Sequence, residues 1–285
     1  LVIAPVGDAD ILDAILPGLD AVVHFAGYID VAESMRDPDL YHEKNVVEPS
    51  VLLERLLASG VRHVVFSSTA AVYGEPRSVP IPEDVVLAPI NPYGGSKAAF
   101  EELLRVAESR GQLTAVSLRY FNVAGAWLDG SVGEAHAVET HIVPVLLRAA
   151  MRALDGGQAD DTGQGTPGSG VREAARFTVF GDDYPTPDGS CVRDYVHVVD
   201  LARAHLSALE YLAAGNPGIA CNVGSGRGYS NLEVVEACAR VTGCDFDVTR
   251  GPRSEGDPAR LVASIERAAE VLGWAPERDL DAMIQ

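Results

Sequence analysis

The chain has 285 residues, of which 47% are hydrophobic, so it is long enough to bury one large core or two closely packed ones. Its formal net charge of −19 at pH 7 argues against nonspecific binding to nucleic acid or to an anionic membrane surface. No stretch approaches the roughly 18 consecutive apolar residues that predict a membrane span, and no signal peptide is recognisable. We therefore expect a cytoplasmic globular protein in which any anionic ligand meets a local group of arginines.

The cysteine content fits the same compartment. The four cysteines show no CxxC spacing, and a chain of this size does not need disulfides to be stable. They are Cys191, Cys221, Cys238 and Cys244. We predict free thiols in a reducing environment and no metal site.

In the first half of the chain, apolar strand-like runs alternate with longer helical patterns, which is typical of a parallel sheet flanked by helices. Predicted helices are each followed by a glycine, Gly60 or Gly111, that ends them. Predicted strands cover residues 1–4, 21–25, 63–67 and 114–120, and predicted helices cover 38–59 and 93–110.

The second half begins with a change of composition. Residues from about 155 to 170 are mostly Gly, Asp, Gln, Thr, Ser and Pro without apolar periodicity, which predicts a flexible surface insertion with no chemistry of its own. A helix should open at Ser230, where Glu233 completes a capping box. Further predicted elements are a strand over 177–180, a helix over 201–212 and a strand over 220–223.

A glycine-rich run, Gly224-Ser225-Gly226-Arg227-Gly228, lies between the last predicted strand and this helix. Its spacing is GxGxG rather than the GxGxxG of dinucleotide-binding loops, and no acidic residue ends a following strand at the expected distance. We predict a turn and a helix entry here.

The pair Tyr93 and Lys97 is the first candidate for chemistry. Positions four apart lie on one face of a helix, so the Lys97 ammonium should favour the ionised form of the Tyr93 phenol, which could then act as a base. The apolar run Val64-Val65-Phe66 ends in Ser67-Ser68-Thr69 one loop upstream, which supplies hydroxyls where a strand of a parallel sheet would stop.

Five motifs occur in an order that is far more specific than any one of them. They are His24-Phe25-Ala26-Gly27, Ser67-Ser68-Thr69-Ala70-Ala71-Val72-Tyr73-Gly74, Tyr93-Gly94-Gly95-Ser96-Lys97, Leu118-Arg119-Tyr120-Phe121-Asn122 and Val192-Arg193-Asp194-Tyr195-Val196-His197. From about Asp8 to Gln285, this set resembles the extended short-chain dehydrogenase/reductases and, within them, the UDP-glucose 4-epimerase family.

The resemblance implies an α/β fold, with a Rossmann-like doubly wound parallel sheet and a smaller α/β substrate domain. Residues 1–122 and about 190–212 would form the NAD-binding domain. Residues 123–189 and 213–285 would bind the UDP-sugar. The resemblance also implies a homodimer, formed through the helices that contain residues 52–57 and 100–106, although the apolar faces of these helices could equally belong to the core.

The resemblance further implies a redox-neutral cycle at C4 of a UDP-sugar, with a tightly held NAD as cofactor. Tyr93 would take the proton of the C4 hydroxyl, Thr69 would hydrogen-bond the reacting oxygen, and Lys97 would support both the phenolate and the nicotinamide ribose. A 4-keto sugar would form, turn within the site and be reduced on its other face.

Other residues match further positions of the family. Cofactor contacts are implied for Asp8, Ala9, Phe25, Ala26, Gly27, Asn45, Ser67, Tyr93, Lys97 and Phe121. Substrate contacts are implied for Thr69, Asn122, His141, Phe180, Arg193, Arg253 and Asp257. Leu261 falls at a gate of the sugar pocket where the family often has a large tyrosine that excludes N-acetylated sugars, so some activity on UDP-N-acetylglucosamine is expected.

Two departures leave alternatives open. The family's first strand and GxxGxxG loop should precede Leu1, and its last segment should follow Gln285, so we expect a chain truncated at both ends that binds NAD poorly. A non-catalytic sugar-nucleotide-binding fragment is therefore one alternative. A dehydratase or another epimerase of the same superfamily is the other, although Ala70 and Ala71 follow Thr69 where a dehydratase has acidic residues.

Overall fold

The computed structural model describes residues 1–136, 138–155 and 174–285 of the chain. The predicted insertion at about 155–170 lies outside these residues, except for Asp155. The strands are β1 (Ala21–His24), β2 (His63–Thr69), β3 (Thr114–Tyr120), β4 (Asn122–Ala124), β5 (Ala175–Phe180), β6 (Val192–His197), β7 (Ile219–Val223), β8 (Gly228–Ser230), β9 (Phe246–Gly251) and β10 (Arg260–Leu261). The helices are α1 (Ala9–Ile15), α2 (Val31–Arg36), α3 (Pro38–His42), α4 (Glu48–Ser59), α5 (Pro92–Ser109), α6 (Ile142–Leu154), α7 (Val198–Ala213), α8 (Asn231–Thr242), α9 (Glu266–Leu272) and α10 (Leu280–Ile284).

The main sheet is parallel, with the strand order β1-β2-β3-β7. Its centre is buried on both faces, because alternate residues of a strand point to opposite sides. In β2, Val64 and Phe66 pack against α1, α4 and α5, whereas Val65 packs against α7 and α9. These two layers of helices confirm the predicted doubly wound α/β fold.

A second set of strands carries the other half of the fold. Strand β6 pairs in parallel with β4 on one side and β10 on the other, and β8 pairs with β6 in antiparallel fashion. Strands β5 and β9 form a separate parallel pair. Helices α6, α8 and α10 cover this region with a core that includes Leu146, Val234 and Met283. The assignment of the two halves to cofactor and to substrate stays a prediction.

The long helix predicted over 38–59 is divided into α3, a π-helical turn at Glu43–Val47, and α4. The physical reason is Pro49, which lacks the backbone N–H that a regular helix would direct to the carbonyl of Asn45. The turn brings the Asn45 side chain into the interior. Residues 1–4 were also predicted as a strand, but they are exposed and pair with no strand in the described structure.

Residues 224–227 of the glycine-rich run form the predicted turn, and Gly228 begins strand β8, which leads into helix α8. The buried carboxylate of Asp194 accepts hydrogen bonds from the backbone N–H groups of Ser225 (2.6 Å), Gly226 (3.0 Å) and Ala263 (3.0 Å). Burial raises the Asp194 pKa to about 6, although these hydrogen bonds oppose the shift. The N–H groups of this loop are therefore already used within the protein and cannot cradle a pyrophosphate.

None of the helices in the described ranges is long and apolar enough to cross a membrane. The capping box at Ser230 and Glu233 is present, and α8 begins directly after it. All four cysteines are buried as free thiols, in agreement with the prediction from their spacing.

Candidate active site

The first turn of α5 lies against the end of β2. The Asn91 side chain caps the helix by accepting a hydrogen bond from the Gly94 backbone N–H (2.8 Å), and its amide donates to the Gly256 carbonyl (3.3 Å). A side chain at Gly94 would come within 2.5 Å of the Ala71 carbonyl oxygen, so glycine allows the helix to pack closely on the chain that follows β2. This packing brings Tyr93 and Thr69 to the same cavity.

Tyr93 is half-buried, and burial raises the pKa of its phenol. A hydrogen bond with the Thr69 side chain opposes this shift. The Lys97 ammonium donates its hydrogen bond to the Ser67 carbonyl oxygen, so its predicted effect on the Tyr93 phenol stays a prediction.

Lys97 is a buried cation, with its side chain only 3% exposed. Its Nζ donates a hydrogen bond to the Ser67 carbonyl oxygen (3.0 Å) and lies 5.1 Å from the centre of the Phe66 ring. Burial lowers the Lys97 pKa to about 8, and no carboxylate in the described parts of the chain forms an ion pair with it. A buried ammonium without a counter-charge is costly, which is typical of a group retained for function.

A cavity of about 830 Å³ opens at the carboxyl ends of the central strands, where ligands bind in open α/β sheets. It brings together many of the residues that the sequence predicted for the site. Those that line it are Thr69, Tyr93, Phe121, Asn122, His141, Arg193 and Asp257. Leu261, the predicted gate residue, also lines this cavity.

The end of β1 provides an exposed surface beside Lys97. Phe25 (60% exposed), Ala26 and Gly27 follow the strand directly. A side-chain carbon at Gly27 would lie 3.0 Å from Asn45 Oδ1 and 3.1 Å from Lys97 Nζ, so only glycine leaves this space open. An open backbone surface next to a buried ammonium fits the ribose and phosphates of a dinucleotide cofactor.

Asn45 has a structural task in this region. Its Oδ1 accepts from the Tyr28 N–H (2.8 Å), and its Nδ2 donates to the Tyr28 carbonyl (2.9 Å) and to Ser96 Oγ (3.0 Å). Asn45 therefore fixes the loop after β1 to helix α5. Asp8 and Ala9 lie at the start of α1, where Asp8 caps the helix, and neither lines the cavity.

The predicted substrate arginines differ in their surroundings. Arg193 is buried, donates to the Pro258 carbonyl (2.6 Å) and pairs with Asp257 at the cavity wall. Arg253 lies outside the cavity lining, pairs with Asp183 and stacks on Tyr184 with its guanidinium 4.3 Å from the ring centre. Phe180 is 52% exposed and also lies outside this lining.

Sequence reasoning missed Tyr120. It lines the cavity beside Tyr93, and its hydroxyl forms a hydrogen bond with Ser67 Oγ. Burial raises the pKa of Tyr120, so it is a neutral hydroxyl at physiological pH. The predicted strands could have identified Tyr120, because Thr69 and Tyr120 are register partners at the carboxyl ends of the neighbouring strands β2 and β3.

Behind the site lies a closed group of buried polar side chains. The Arg119 guanidinium makes paired hydrogen bonds to the Glu101 carboxylate, the shortest at 2.6 Å, and donates to the Tyr73 hydroxyl (3.0 Å). Tyr73 in turn donates to Asn222 Oδ1 (2.6 Å), and Ser68, next to Thr69, donates to Glu101. This group fixes β2, β3, β7 and α5 to one another directly under the cavity.

Comparisons with known proteins agree with this geometry. A model of the NAD dependent epimerase/dehydratase family matches residues 1–224. The chain is 48% identical over 268 residues to a UDP-glucose 4-epimerase of Lacticaseibacillus casei, which covers 94% of this chain and 75% of that protein. The family resemblance inferred from the five motifs is thus confirmed.

Solved structures give the same result. A UDP-glucose-4-epimerase of Stenotrophomonas maltophila, with bound NAD and formylated UDP-arabinopyranose, has 35% identity and a TM-score of 0.88, with 99% of this chain and 80% of that one covered. A UDP-Glc/GlcNAc 4-epimerase of Campylobacter jejuni has 38% identity and a TM-score of 0.76, and the match covers 99% of this chain and 80% of that one. This chain belongs to the NAD dependent epimerase/dehydratase family.

Proposed function

We propose that the protein interconverts UDP-glucose and UDP-galactose by NAD-dependent epimerisation at C4, through a transient 4-keto sugar. The observation that carries the proposal is the meeting of Thr69 and Tyr93 in one cavity, with the buried Lys97 beside the open backbone of Gly27. Oxidation of a secondary alcohol needs a proton acceptor at the hydroxyl and a hydride acceptor at the carbon, and this site has room for both.

Tyr93 takes the proton of the C4 hydroxyl in this proposal and later returns it. Thr69 already hydrogen-bonds the Tyr93 phenol, so a sugar oxygen placed between these two groups can be held and deprotonated at the same point. Because burial raises the Tyr93 pKa, the phenolate needs positive charge nearby, and Lys97 is the nearest buried cation on the same helix.

The chemistry that bound NAD would supply is reversible hydride transfer at C4, with removal from one face of the sugar and return to the other. We propose that Phe25, Ala26 and Gly27 present backbone to the cofactor and that Lys97 holds its ribose. Ser67 and Phe121 are proposed to lie at its nicotinamide end, and Asp8 and Ala9 at its adenine end. Asn45 supports the cofactor surface by fixing the Tyr28 backbone.

The UDP-sugar is proposed to occupy the 830 Å³ cavity. Arg193 is the cationic side chain best placed for its diphosphate, because Asp257 and the Pro258 carbonyl hold the guanidinium at the cavity wall. Asn122 and His141 are polar groups of the same wall. Phe180 and Arg253, which lie outside the lining, would have to contact the nucleotide beyond the cavity.

The proposal is tested by incubating the purified chain with UDP-galactose and added NAD, without any reductant, and following the sugars by proton NMR. We expect UDP-glucose to form until both sugars reach equilibrium, with no change in mass. Tyr93→Phe is the matched control, because it removes one oxygen and leaves the cavity intact. Absence of any exchange in the wild-type chain with NAD would contradict the proposal.

Dehydration of the sugar is the alternative that the same fold and cofactor allow. Both Ala70 and Ala71 line the cavity directly after Thr69, and neither can transfer a proton. This favours epimerisation, which needs no further acid. Mass spectrometry separates the two reactions, since a dehydratase lowers the mass of the sugar nucleotide by one water.

We also propose a homodimer in the cytoplasm. The apolar residues of α4 and α5 named by the resemblance, including Leu52, Leu56, Phe100 and Leu104, are buried in the chain's own core. A dimer through these helices would therefore use their outward faces, such as the Glu102 side of α5. Sedimentation equilibrium at micromolar concentration should give twice the chain mass, and a single-chain mass would contradict this arrangement.

A further inference from the structure

Four side chains converge at the mouth of the cavity, in the segment before α6. Their donor atoms all lie within 4.8 Å of one another, and they are Glu134, His136, Glu139 and His141. Glu134 Oε1 is 2.7 Å from His141 Nδ1 and 3.0 Å from His136 Nδ1. Glu139 Oε1 is 3.2 Å from His141 Nδ1. Two imidazoles and two carboxylates are thus directed at one point.

Glu139 gives this cluster a second, independent feature. Its side chain is only 3% exposed, and its Oε2 atom is fully buried with no hydrogen-bond partner in the described structure. The nitrogens closest to this atom are His136 Nδ1, at 3.6 Å, and the Arg148 guanidinium, at 3.7 Å, both too far for a hydrogen bond. A buried carboxylate oxygen without a hydrogen bond is costly, and a cation at the centre of the cluster would remove that cost.

The chemistry of the donor set selects among cations. Imidazole nitrogen with carboxylate oxygen suits zinc and neighbouring transition metals, whereas Mg²⁺ and Ca²⁺ prefer oxygen alone. Metal–ligand bonds of about 2.0–2.2 Å place tetrahedral ligands roughly 3.3–3.6 Å apart. The imidazole–carboxylate separations here are 2.7, 3.0, 3.2 and 3.6 Å, so the closest pairs would move apart to receive an ion.

We propose that Glu134, His136, Glu139 and His141 bind one divalent transition-metal ion of the zinc class. The ion replaces the hydrogen bonds between imidazole and carboxylate, and it fixes these four side chains at the wall of the cavity. Glu134, His136 and His141 line that cavity, and the Glu139 side chain is only 3% exposed, so the ion would join the cavity wall to a side chain that is shielded from solvent. The sequence predicted no metal, because the spacing of these residues in a non-helical segment matches no common metal motif.

The proposal does not depend on the catalytic assignment, and its test measures metal binding directly. Purified metal-free protein is titrated with Co²⁺, whose visible absorption reports coordination by nitrogen and oxygen ligands, and the Co²⁺ is then displaced with Zn²⁺. We expect saturation at one equivalent, loss of the spectrum on addition of Zn²⁺, and no competition from an equal concentration of Mg²⁺. No saturable cobalt spectrum in the wild-type protein would overturn the proposal, whatever the variants do.

Variants then locate the ion. His136→Ala and Glu139→Gln each remove one ligand, while His42→Ala removes an exposed histidine of α3 as the matched control. Loss of even an outer partner of a metal ligand weakens binding about 10–100-fold, so each ligand variant should weaken Co²⁺ binding by at least that much. Equal binding by the ligand variants and the control would overturn the site. Circular dichroism checks that each variant is folded.

Discussion

Helix α5 carries two buried ionisable groups one turn apart, and they differ in kind. Glu101 meets Arg119 through paired hydrogen bonds, and their neighbours Ser68 and Tyr73 complete the group. Lys97 has a single carbonyl partner and no carboxylate, and its pKa falls to about 8. The Glu101–Arg119 pair satisfies both of its charges within the protein and so holds the fold in place. Lys97 has no carboxylate partner in the described structure, so its charge remains available to a ligand.

Removing the Tyr93 hydroxyl gives the largest expected effect. It should change turnover in the cavity beside Lys97 and leave the Glu101–Arg119 pair unchanged. Tyr93→Phe should lower kcat by about 10²–10⁴-fold, because the proton acceptor is lost. The Kd for UDP, measured by calorimetry, should change less than twofold, since the ring remains in the cavity wall. Turnover within tenfold of the wild type would remove Tyr93 from the chemistry.

Breaking the closed pair should act on stability instead. Glu101→Gln leaves the Arg119 charge buried without its partner, and loss of one member of such a pair costs about 3–5 kcal/mol. Urea unfolding at pH 7 measures the free energy of unfolding. Glu236→Gln is the matched control, because it makes the same change at an exposed position of α8, away from the helices proposed for the dimer. If both variants unfold at the same urea concentration, the pair does not stabilise the fold.

Replacing the unmatched cation should stabilise the protein while removing its activity. The Lys97 pKa is about 8 in the folded state and 10.5 when unperturbed, so the unfolded chain binds more protons between these values. Wild-type stability should therefore rise from pH 8 to 10.5, and Lys97→Met should be more stable at pH 7 by about 1–3 kcal/mol.

The advantage of Lys97→Met should shrink as the pH approaches 10.5, where the lysine is neutral in both states. Denaturant unfolding of both proteins at several pH values measures this difference in the free energy of unfolding. A variant that is less stable than the wild type at pH 7 would show that the Ser67 hydrogen bond outweighs the burial of the charge.

The smallest expected effect concerns the wall of the cavity. Leu261 lines it and pairs in register with Arg193 between β10 and β6. A leucine leaves more room than a tyrosine, so we expect measurable activity on UDP-N-acetylglucosamine. Leu261→Tyr should reduce that activity about tenfold or more and leave UDP-glucose turnover within threefold. Equal loss on both sugars would show that residue 261 does not select between them.

The sequence predicted the parallel sheet and most strand positions because each strand is a short apolar run bounded by clear turn signals. Strand β3 was predicted over 114–120 and lies there. Tyr93, Lys97 and Thr69 were found because they belong to local motifs at strand and helix ends. Tyr120 was not found, because its partner Ser67 lies on another strand. Glu139 was not found, because its neighbours His136 and His141 have no spacing that matches a known motif.

The π-helical turn at Glu43–Val47 shows how one residue can set the outline of a binding surface. A π turn is closed by i→i+5 hydrogen bonds, so it holds about one residue more than a regular α-helical turn. Deleting one residue there would let α3 and α4 join as a regular helix, and the wide turn that brings Asn45 to Tyr28 would be lost. The loop after β1 would then lose its anchor, although every strand of the sheet remained in place.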